Sequence, residues 1–165
     1  MKKYFLVFIL AFSFLISCSS EDTTTYYLIR HAEKDRTDKE NKNPNLSFDG
    51  EKRAQKWAEY FKDIHLDAVY STEFNRIIQT ATPTAQGKKL EIKSYYPSEM
   101  YDSIFQEATK GKTVLVVGHS NTTPFFVNKI IGEKKFETMD DHDNASLYIV
   151  TVSGDKTSSK IEKVD

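Results

Sequence analysis

The sequence predicts an α/β fold, a three-layer α/β/α sandwich around a mostly parallel central sheet. Short apolar segments rich in β-branched and aromatic residues alternate with longer segments that carry apolar residues at helical spacing. Strands that alternate with helices form parallel sheets with helices packed on both faces. The length of 165 residues favours one domain.

The N-terminus has the pattern of an export signal. Two lysines precede an apolar stretch at 4–16, which is shorter than the roughly 20 residues that a membrane-spanning helix needs. Residues 15–18 read Leu-Ile-Ser-Cys and resemble a bacterial lipobox, whose cysteine is lipidated and becomes the first residue after cleavage. We therefore expect a signal peptide at 1–17, the lipidated Cys18 with a polar tether at 18–25, and the folded domain at 26–165.

Several expectations follow from a lipid on Cys18, the only cysteine. The protein would be exported and anchored to a bacterial membrane without spanning it, and it would contain no disulfide. Ser19 and the acidic residues after it favour the outer membrane, on its periplasmic or its outer face. Without Lys2 and Lys3, 21 of the 23 basic residues remain against 24 acidic residues, so nothing suggests nucleic-acid binding.

The first predicted strand is 26–30, a short run of β-forming residues. The polar and charged segment 33–45 follows it and is predicted to be a surface loop. Ser47 is a suitable N-cap for an amphipathic helix at 48–62, in which Trp57 lies on the apolar face.

A second strand, 67–71, precedes a helix predicted at 74–85 and ended by Gly87. The third strand is predicted at 90–95, where the pattern is weakest. The next helix is predicted at 99–109.

The segment 113–117, Thr-Val-Leu-Val-Val, has the clearest strand pattern, and its continuous apolar run is typical of a strand covered on both faces. Pro124 fits the first turn of a helix that ends before Gly132. Two further strands are predicted at 146–152 and at 161–164, the latter at an edge of the sheet.

Two Arg and two His residues lie at or shortly after the ends of predicted strands. Arg30 is the last residue of the first strand and His31 follows it. His119 comes shortly after 113–117, and Arg76 follows the turn after 67–71. Ligands of open α/β sheets bind at the carboxyl ends of the strands, where we expect these side chains to meet. Guanidinium groups bind phosphate oxygens, a helix N-terminus attracts anions, and a histidine nitrogen can attack phosphorus.

Four segments, in order, resemble the histidine phosphatase superfamily, which is also called phosphoglycerate-mutase-like. These segments are 27–33 (Tyr-Leu-Ile-Arg-His-Ala-Glu), 46–54, 71–81 and 114–120. The resemblance implies that His31 is the phosphorylated nucleophile and that Arg30, Arg76 and His119 bind phosphate. It also implies a phosphoglycerate mutase-like fold, without a metal or another cofactor.

The proton donor to the leaving group is where the resemblance is incomplete. The family usually supplies a carboxylate shortly after the third strand, and the corresponding stretch here is 95–102. Glu99 is our choice, with Asp102 and Glu33 as alternatives, and small members of the family can lack an obvious acid.

These observations lead to the hypothesis of a phosphomonoesterase of the histidine acid phosphatase type, acting on a small molecule or a phosphoprotein. A mutase and a catalytically weak lipoprotein that binds phosphorylated ligands are the alternatives. A third possibility is a serine hydrolase, because Gly-His-Ser at 118–120 partly resembles a nucleophile elbow and Asp140 or Asp141 and His142 follow in order. As separate residues, His65 and His142 match no phosphatase motif and are expected at the surface.

Overall fold

The computed structural model describes residues 22–165, which form a six-stranded sheet and four α-helices. The strands are β1 (Thr23–Arg30), β2 (Ala68–Ser71), β3 (Ile92–Ser94), β4 (Thr113–Gly118), β5 (Ser146–Ser153) and β6 (Lys156–Lys163). The helices are α1 (Phe48–Tyr60), α2 (Asn75–Lys88), α3 (Ser103–Thr109) and α4 (Thr122–Ile131). The expected signal peptide and Cys18 lie outside the described residues. Within 22–165, no helix has the length and apolar character needed to cross a membrane.

The order of strands in the sheet is β3-β2-β4-β1-β5-β6. Strands β1 to β4 are parallel, while β5 runs antiparallel to β1 and β6 antiparallel to β5. The predicted mostly parallel sheet is therefore confirmed. Arg30 of β1 is in register with Gly118 of β4, so the carboxyl ends of these two neighbouring strands meet at the same edge.

Apolar side chains cover both faces of the sheet and produce the predicted three layers. On one face, Trp57 of α1 and Ile77 of α2 belong to a buried cluster with Leu115 of β4. On the other face, Phe105 of α3 and Phe126 of α4 pack in a second cluster with residues of β1, β2 and β4. Because β4 is covered on both sides, its continuous apolar run is explained.

The first strand begins earlier than the sequence indicated. Thr23–Thr25 were expected in the tether, but they belong to β1 and pair with Thr151–Ser153 of β5. Thr24 is buried, and its hydroxyl accepts a hydrogen bond from the Gly111 N–H (2.8 Å). The polar composition of this segment suggested a tether, whereas its backbone is satisfied by a neighbouring strand.

The helix predicted to end before Gly87 continues to Lys88 and includes both Pro83 and Gly87. Its end is set by Lys89, which adopts the left-handed conformation with a φ of 56°. The helix predicted at 99–109 is shorter than expected, because a 3-10 turn at Pro97–Glu99 precedes α3.

Candidate active site

Strands β1 and β4 bring two of the predicted site residues side by side. The imidazole rings of His31 and His119 lie 5.8 Å apart between centroids, nearly perpendicular to each other. The His31 N–H donates to the Gly118 carbonyl (2.9 Å), which extends the pairing of the two strands by one residue. Arg76, in the first turn of α2, places Nη2 3.3 Å from Nδ1 of His119. Arg30, His31, Arg76 and His119 are thus brought together.

His31 is buried and held from both sides. Its carbonyl accepts a hydrogen bond from the buried Asn144 side chain (2.8 Å), and its Nδ1 lies 2.7 Å from the Ala32 carbonyl. Because a carbonyl can only accept, Nδ1 carries the proton and Nε2 keeps its lone pair. Burial lowers the pKa of His31 to about 3, assisted by the charges of Arg30 and Arg76 and opposed by the backbone hydrogen bond. Near pH 7 the side chain is therefore a neutral imidazole whose Nε2 lone pair can act as a nucleophile.

His119 has the opposite tautomer. A guanidinium can only donate, so Nδ1 of His119 accepts from Arg76 and the ring proton is on Nε2. Burial, followed by the charges of Arg76 and Arg30, lowers the pKa of this imidazole to about 4. The ring also packs edge-on against Phe74, with 5.1 Å between centroids. Its Nε2–H is a neutral hydrogen-bond donor for an anion.

Arg30 is 2% exposed and is held by the loop that precedes β5. Its Nη1 donates to the Asp140 carbonyl (2.9 Å), and its Nη2 donates to the Asp141 carboxylate (2.8 Å). Burial raises the pKa of Asp141, but hydrogen bonds from Arg36 and Arg30 outweigh that effect and keep its pKa below the usual value. Asp141 is therefore an ionised partner that orients Arg30.

Arg76 is 9% exposed, and its Nε and Nη1 are buried without a hydrogen-bond partner among residues 22–165. Burial and the charge of Arg30 lower the pKa of this guanidinium. Buried donors without partners are costly and uncommon in proteins. An anion with several oxygens would satisfy them, so Arg76 is suited to bind a phosphate group.

The site also depends on a close approach of the backbone at Gly118. A Cβ atom there would lie 2.8 Å from Thr123 Oγ1 and 3.0 Å from the Tyr95 hydroxyl. Glycine thus lets β4 pass directly under the first turn of α4. The Thr122 hydroxyl accepts from the His119 N–H (3.0 Å), which fixes the backbone at the N-terminus of that helix.

A family model described as histidine phosphatase superfamily (branch 1) matches residues 26–95, which include His31 and Arg76. The fold is shared with phosphoglycerate mutase from Bacillus anthracis: TM-score 0.65, 16% identity, covering 88% of this chain and 94% of that chain. Residues 26–95 are thus similar to this superfamily, and the likeness to the mutase shows that the chain has the same fold. No curated protein matches the chain at a significant level.

Two further solved structures have the same fold. One is the protein histidine phosphatase SixA complexed with tungstate: TM-score 0.66, 14% identity, covering 84% of this chain and 96% of that chain. The other is a variant of phosphoserine phosphatase from Entamoeba histolytica in complex with phosphoserine: TM-score 0.66, 12% identity, covering 86% of this chain and 97% of that chain. At these identities the likeness shows the fold alone, and the predicted phosphoglycerate mutase-like fold is confirmed.

The three candidate acids have different surroundings. Glu33 pairs with Arg53 (2.7 Å), and one oxygen of the Asp102 carboxylate accepts from the Phe105 N–H (2.8 Å) as the N-cap of α3. Glu99 is exposed at the end of the 3-10 turn, and no contact within the described part of the chain joins its side chain to either site histidine. The prediction that Glu99 is the proton donor therefore rests on the sequence alone.

Sequence reasoning missed Asp141 and Asn144 as parts of the candidate site around Arg30 and His31. Both precede β5, and the antiparallel pairing of Leu147 with Ile29 brings the start of β5 beside the end of β1. An antiparallel strand begins where its parallel neighbours end, and that signal could have identified the loop before β5.

His65 and His142 are exposed as predicted, with side-chain exposures of 81% and 93%. No contact within residues 22–165 joins Ser120 to His142, so the serine hydrolase alternative gains no support. Among the same residues, no group of three or more His, Cys, Asp or Glu side chains is arranged to hold a metal ion.

Proposed function

We propose that this protein is a phosphomonoester hydrolase that forms a phosphohistidine intermediate on His31. One observation carries the proposal: the neutral His31 lies beside His119 and Arg76, whose Nε and Nη1 donors are buried without partners. A phosphoryl group bound there would supply oxygens to these donors while its phosphorus faces the imidazole.

The first step is attack by Nε2 of His31 on phosphorus, which forms a P–N bond as the P–O bond to the leaving group breaks. The leaving oxygen takes up a proton, either from the proposed acid Glu99 or from water. In the second step, water attacks the phosphohistidine, the P–N bond breaks, and inorganic phosphate leaves. The proton released by that water returns to the acid or to solvent.

Charge stabilisation comes from groups that are in place before the reaction. Arg30 is fixed by the loop before β5, and Arg76 and the Nε2–H of His119 have free donors. Donors held in a largely buried site stabilise the charge on the transferring phosphoryl group without having to reorganise.

The test measures hydrolysis of p-nitrophenyl phosphate by the full chain, with His31→Ala and the matched control His65→Ala. We expect His31→Ala to lower kcat by at least about 10³-fold, whereas the exposed His65 leaves it unchanged. Rapid quenching with ³²P-labelled substrate should trap an acid-labile, alkali-stable phosphoenzyme in the wild type only. Full turnover by His31→Ala would contradict the proposal, and transfer of label to an added alcohol phosphate instead of water would favour a mutase.

The proposed acid is tested with Glu99→Gln. We expect a loss of roughly 10²-fold or more on an alkyl phosphate and a much smaller loss on p-nitrophenyl phosphate, whose leaving group needs little protonation. Asp102→Asn serves as the comparison, and equal turnover by Glu99→Gln on both substrates would remove Glu99 from the role.

We further propose that lipid on Cys18 anchors the protein to the outer membrane after export. The lipobox-like segment before Cys18 supports this proposal. Cys18→Ser should abolish labelling by radioactive palmitate, and retention of the label would contradict it. The membrane that carries the wild type is identified by density-gradient fractionation.

A further inference from the structure

A small cavity opens beside the proposed nucleophile His31. Its volume is about 140 Å³, and Lys34 lies on its wall together with Arg30, His31 and Arg36. Neither Arg76 nor His119 lines it. The cavity therefore adjoins the phosphate-binding cluster, and Lys34 is a cation there that the proposed mechanism does not use.

The backbone that carries Lys34 is fixed. Lys34 forms an isolated antiparallel bridge with Leu46, and the next residue, Asp35, donates its N–H to the Asn45 carbonyl (2.8 Å). This pairing holds the position three residues after His31 against the start of the α1 segment. The base of the Lys34 side chain is thus as firmly placed as a strand residue.

Both carboxylates of the cavity are already engaged by arginines. Glu33 binds Arg53 through Oε1 (2.7 Å), while its Oε2 is buried without a hydrogen-bond partner in the described chain. Asp141 bridges Arg30 (2.8 Å) and Arg36 (2.7 Å). Within residues 22–165, the Lys34 ammonium forms no hydrogen bond and no ion pair. A partly buried lysine whose ammonium has no hydrogen bond and no ion pair is suited to bind an anionic group of a ligand.

The charge balance points in the same direction. Burial lowers the pKa of Lys34, and the charges of Arg36, Arg76 and Arg30 lower it further, against Asp141. The wall of the cavity carries three cations, Arg30, Lys34 and Arg36, and two carboxylates, Glu33 and Asp141, an excess of one positive charge. Because Arg76, which is not on this wall, is proposed to bind the transferred phosphoryl group, that excess charge is available to a second anionic group.

We propose that Lys34 binds a second anionic group of the substrate, a carboxylate or a further phosphate, carried by the leaving group close to the ester oxygen. The proposal rests on the proposed function and names the class of substrate: phosphomonoesters of small organic acids or other doubly anionic compounds. Arg30, Arg76 and His119 serve the transferred phosphoryl group, and Lys34 makes the site select for the second charge.

The experiment compares two carboxyalkyl phosphates, 2-phosphoglycolate and 2-carboxyethyl phosphate, with the corresponding carboxamides. In each carboxamide a neutral amide replaces the carboxylate, and the phosphate is unchanged. For the wild-type full chain we expect a kcat/KM at least tenfold higher on one of the acids than on its carboxamide. Lys34→Met should reduce that ratio to between one and three, mainly through a higher KM on the acid. The matched control is Lys39→Met, an exposed lysine of the same loop, which should keep the wild-type ratio.

Equal fold-losses on acid and carboxamide in Lys34→Met would place Lys34 on the transferred phosphoryl group and overturn the proposal. A wild type that does not distinguish any acid from its carboxamide would overturn it as well. The same four ligands are titrated calorimetrically onto His31→Ala and onto His31→Ala with Lys34→Met, where turnover is not needed. An absence of hydrolysis in the wild type would therefore count against the proposed function, while the ratio of Kd values still decides the role of Lys34.

Discussion

The two halves of the site differ in how they are held. Arg30 and His31, at the end of β1, are bound by carbonyls, by the Asp141 carboxylate and by the Asn144 amide. Arg76, in the first turn of α2, makes one hydrogen bond to His119 and stacks over Phe74 at 4.7 Å. Two of its nitrogens, Nε and Nη1, remain buried without a partner in the described chain, whereas in Arg30 only Nε does.

This difference indicates that the β1 half is organised by the protein and that the α2 half is completed by the ligand. A network of backbone and side-chain hydrogen bonds fixes His31, the proposed nucleophile, and one guanidinium before a substrate binds. Unsatisfied donors on the other guanidinium cost stability in the free protein, and that cost is recovered when an anion binds. Such a trade of stability for function is common at active sites.

The largest expected effects concern the two arginines. Arg30→Gln and Arg76→Gln should each lower kcat/KM for p-nitrophenyl phosphate by roughly 10²–10³-fold, because each removes a charge that stabilises the phosphoryl group. Their effects on stability should differ. Arg30→Gln leaves the Asp140 carbonyl unpaired and should cost about 2 kcal/mol, a figure kept low because Asp141 is 56% exposed.

Arg76→Gln should leave the free energy of unfolding unchanged or raise it by up to about 1 kcal/mol, because it removes a buried cation with unpaired donors. Urea unfolding at pH 7 measures both variants. A destabilisation by Arg76→Gln as large as that by Arg30→Gln would break the distinction between the two halves.

The second effect concerns the contact between α1 and the segment that follows His31. A Cβ atom on Gly50, in the first turn of α1, would overlap the Glu33 carbonyl oxygen. Gly50→Ala should therefore destabilise the fold by about 3 kcal/mol and lower activity, because the segment just after His31 must shift. Thermal unfolding and turnover measure this, and a variant with wild-type Tm would show that the loop at 33–36 is not held against α1.

The third effect is the dependence of stability on pH. The folded pKa of His31 is about 3, below the ordinary value of 6.5, so the unfolded chain binds more protons between these values. Stability should fall as the pH decreases from 8 to 5, and His31 should account for about 2 kcal/mol of the loss. In His31→Asn that part of the loss should disappear, whereas the exposed control His65→Asn should keep it. The same loss in all three proteins would contradict a neutral, buried His31.

The smallest effect is expected in α2 far from Arg76. Gly87 lies inside this helix, and a Cβ atom there would meet nothing within 4 Å. Gly87→Ala should raise the free energy of unfolding by about 0.5–1 kcal/mol without changing kcat, since alanine loses less backbone entropy in a helix. A change in kcat would mean that the α2 half responds to distant changes in its helix, contrary to the proposed division.

The sequence by itself determined the strands and helices that carry the site and the residues that meet there. Continuous apolar runs identified buried strands such as β4, and the residues that follow β1, β2 and β4 met as expected because parallel strands end at a common edge. Local sequence patterns reflect burial and turn formation, so they predict the presence of helices and strands well. They predict the ends of these elements less well: Lys89, and not Gly87, adopts the left-handed conformation that ends α2.

Only the tertiary structure decided the pairing of charges and the limits of the sheet. Thr23–Thr25 became part of β1 because β5 offers backbone partners, which their polar side chains do not reveal. Asp141 pairs with Arg30 across about 110 residues of sequence, and Glu33 pairs with Arg53 across about 20 residues. Lys34 was left without a carboxylate for the same reason. Such pairings depend on which loops meet at the edge of the sheet. A local sequence pattern does not give the distance in space between charges that lie far apart in the chain.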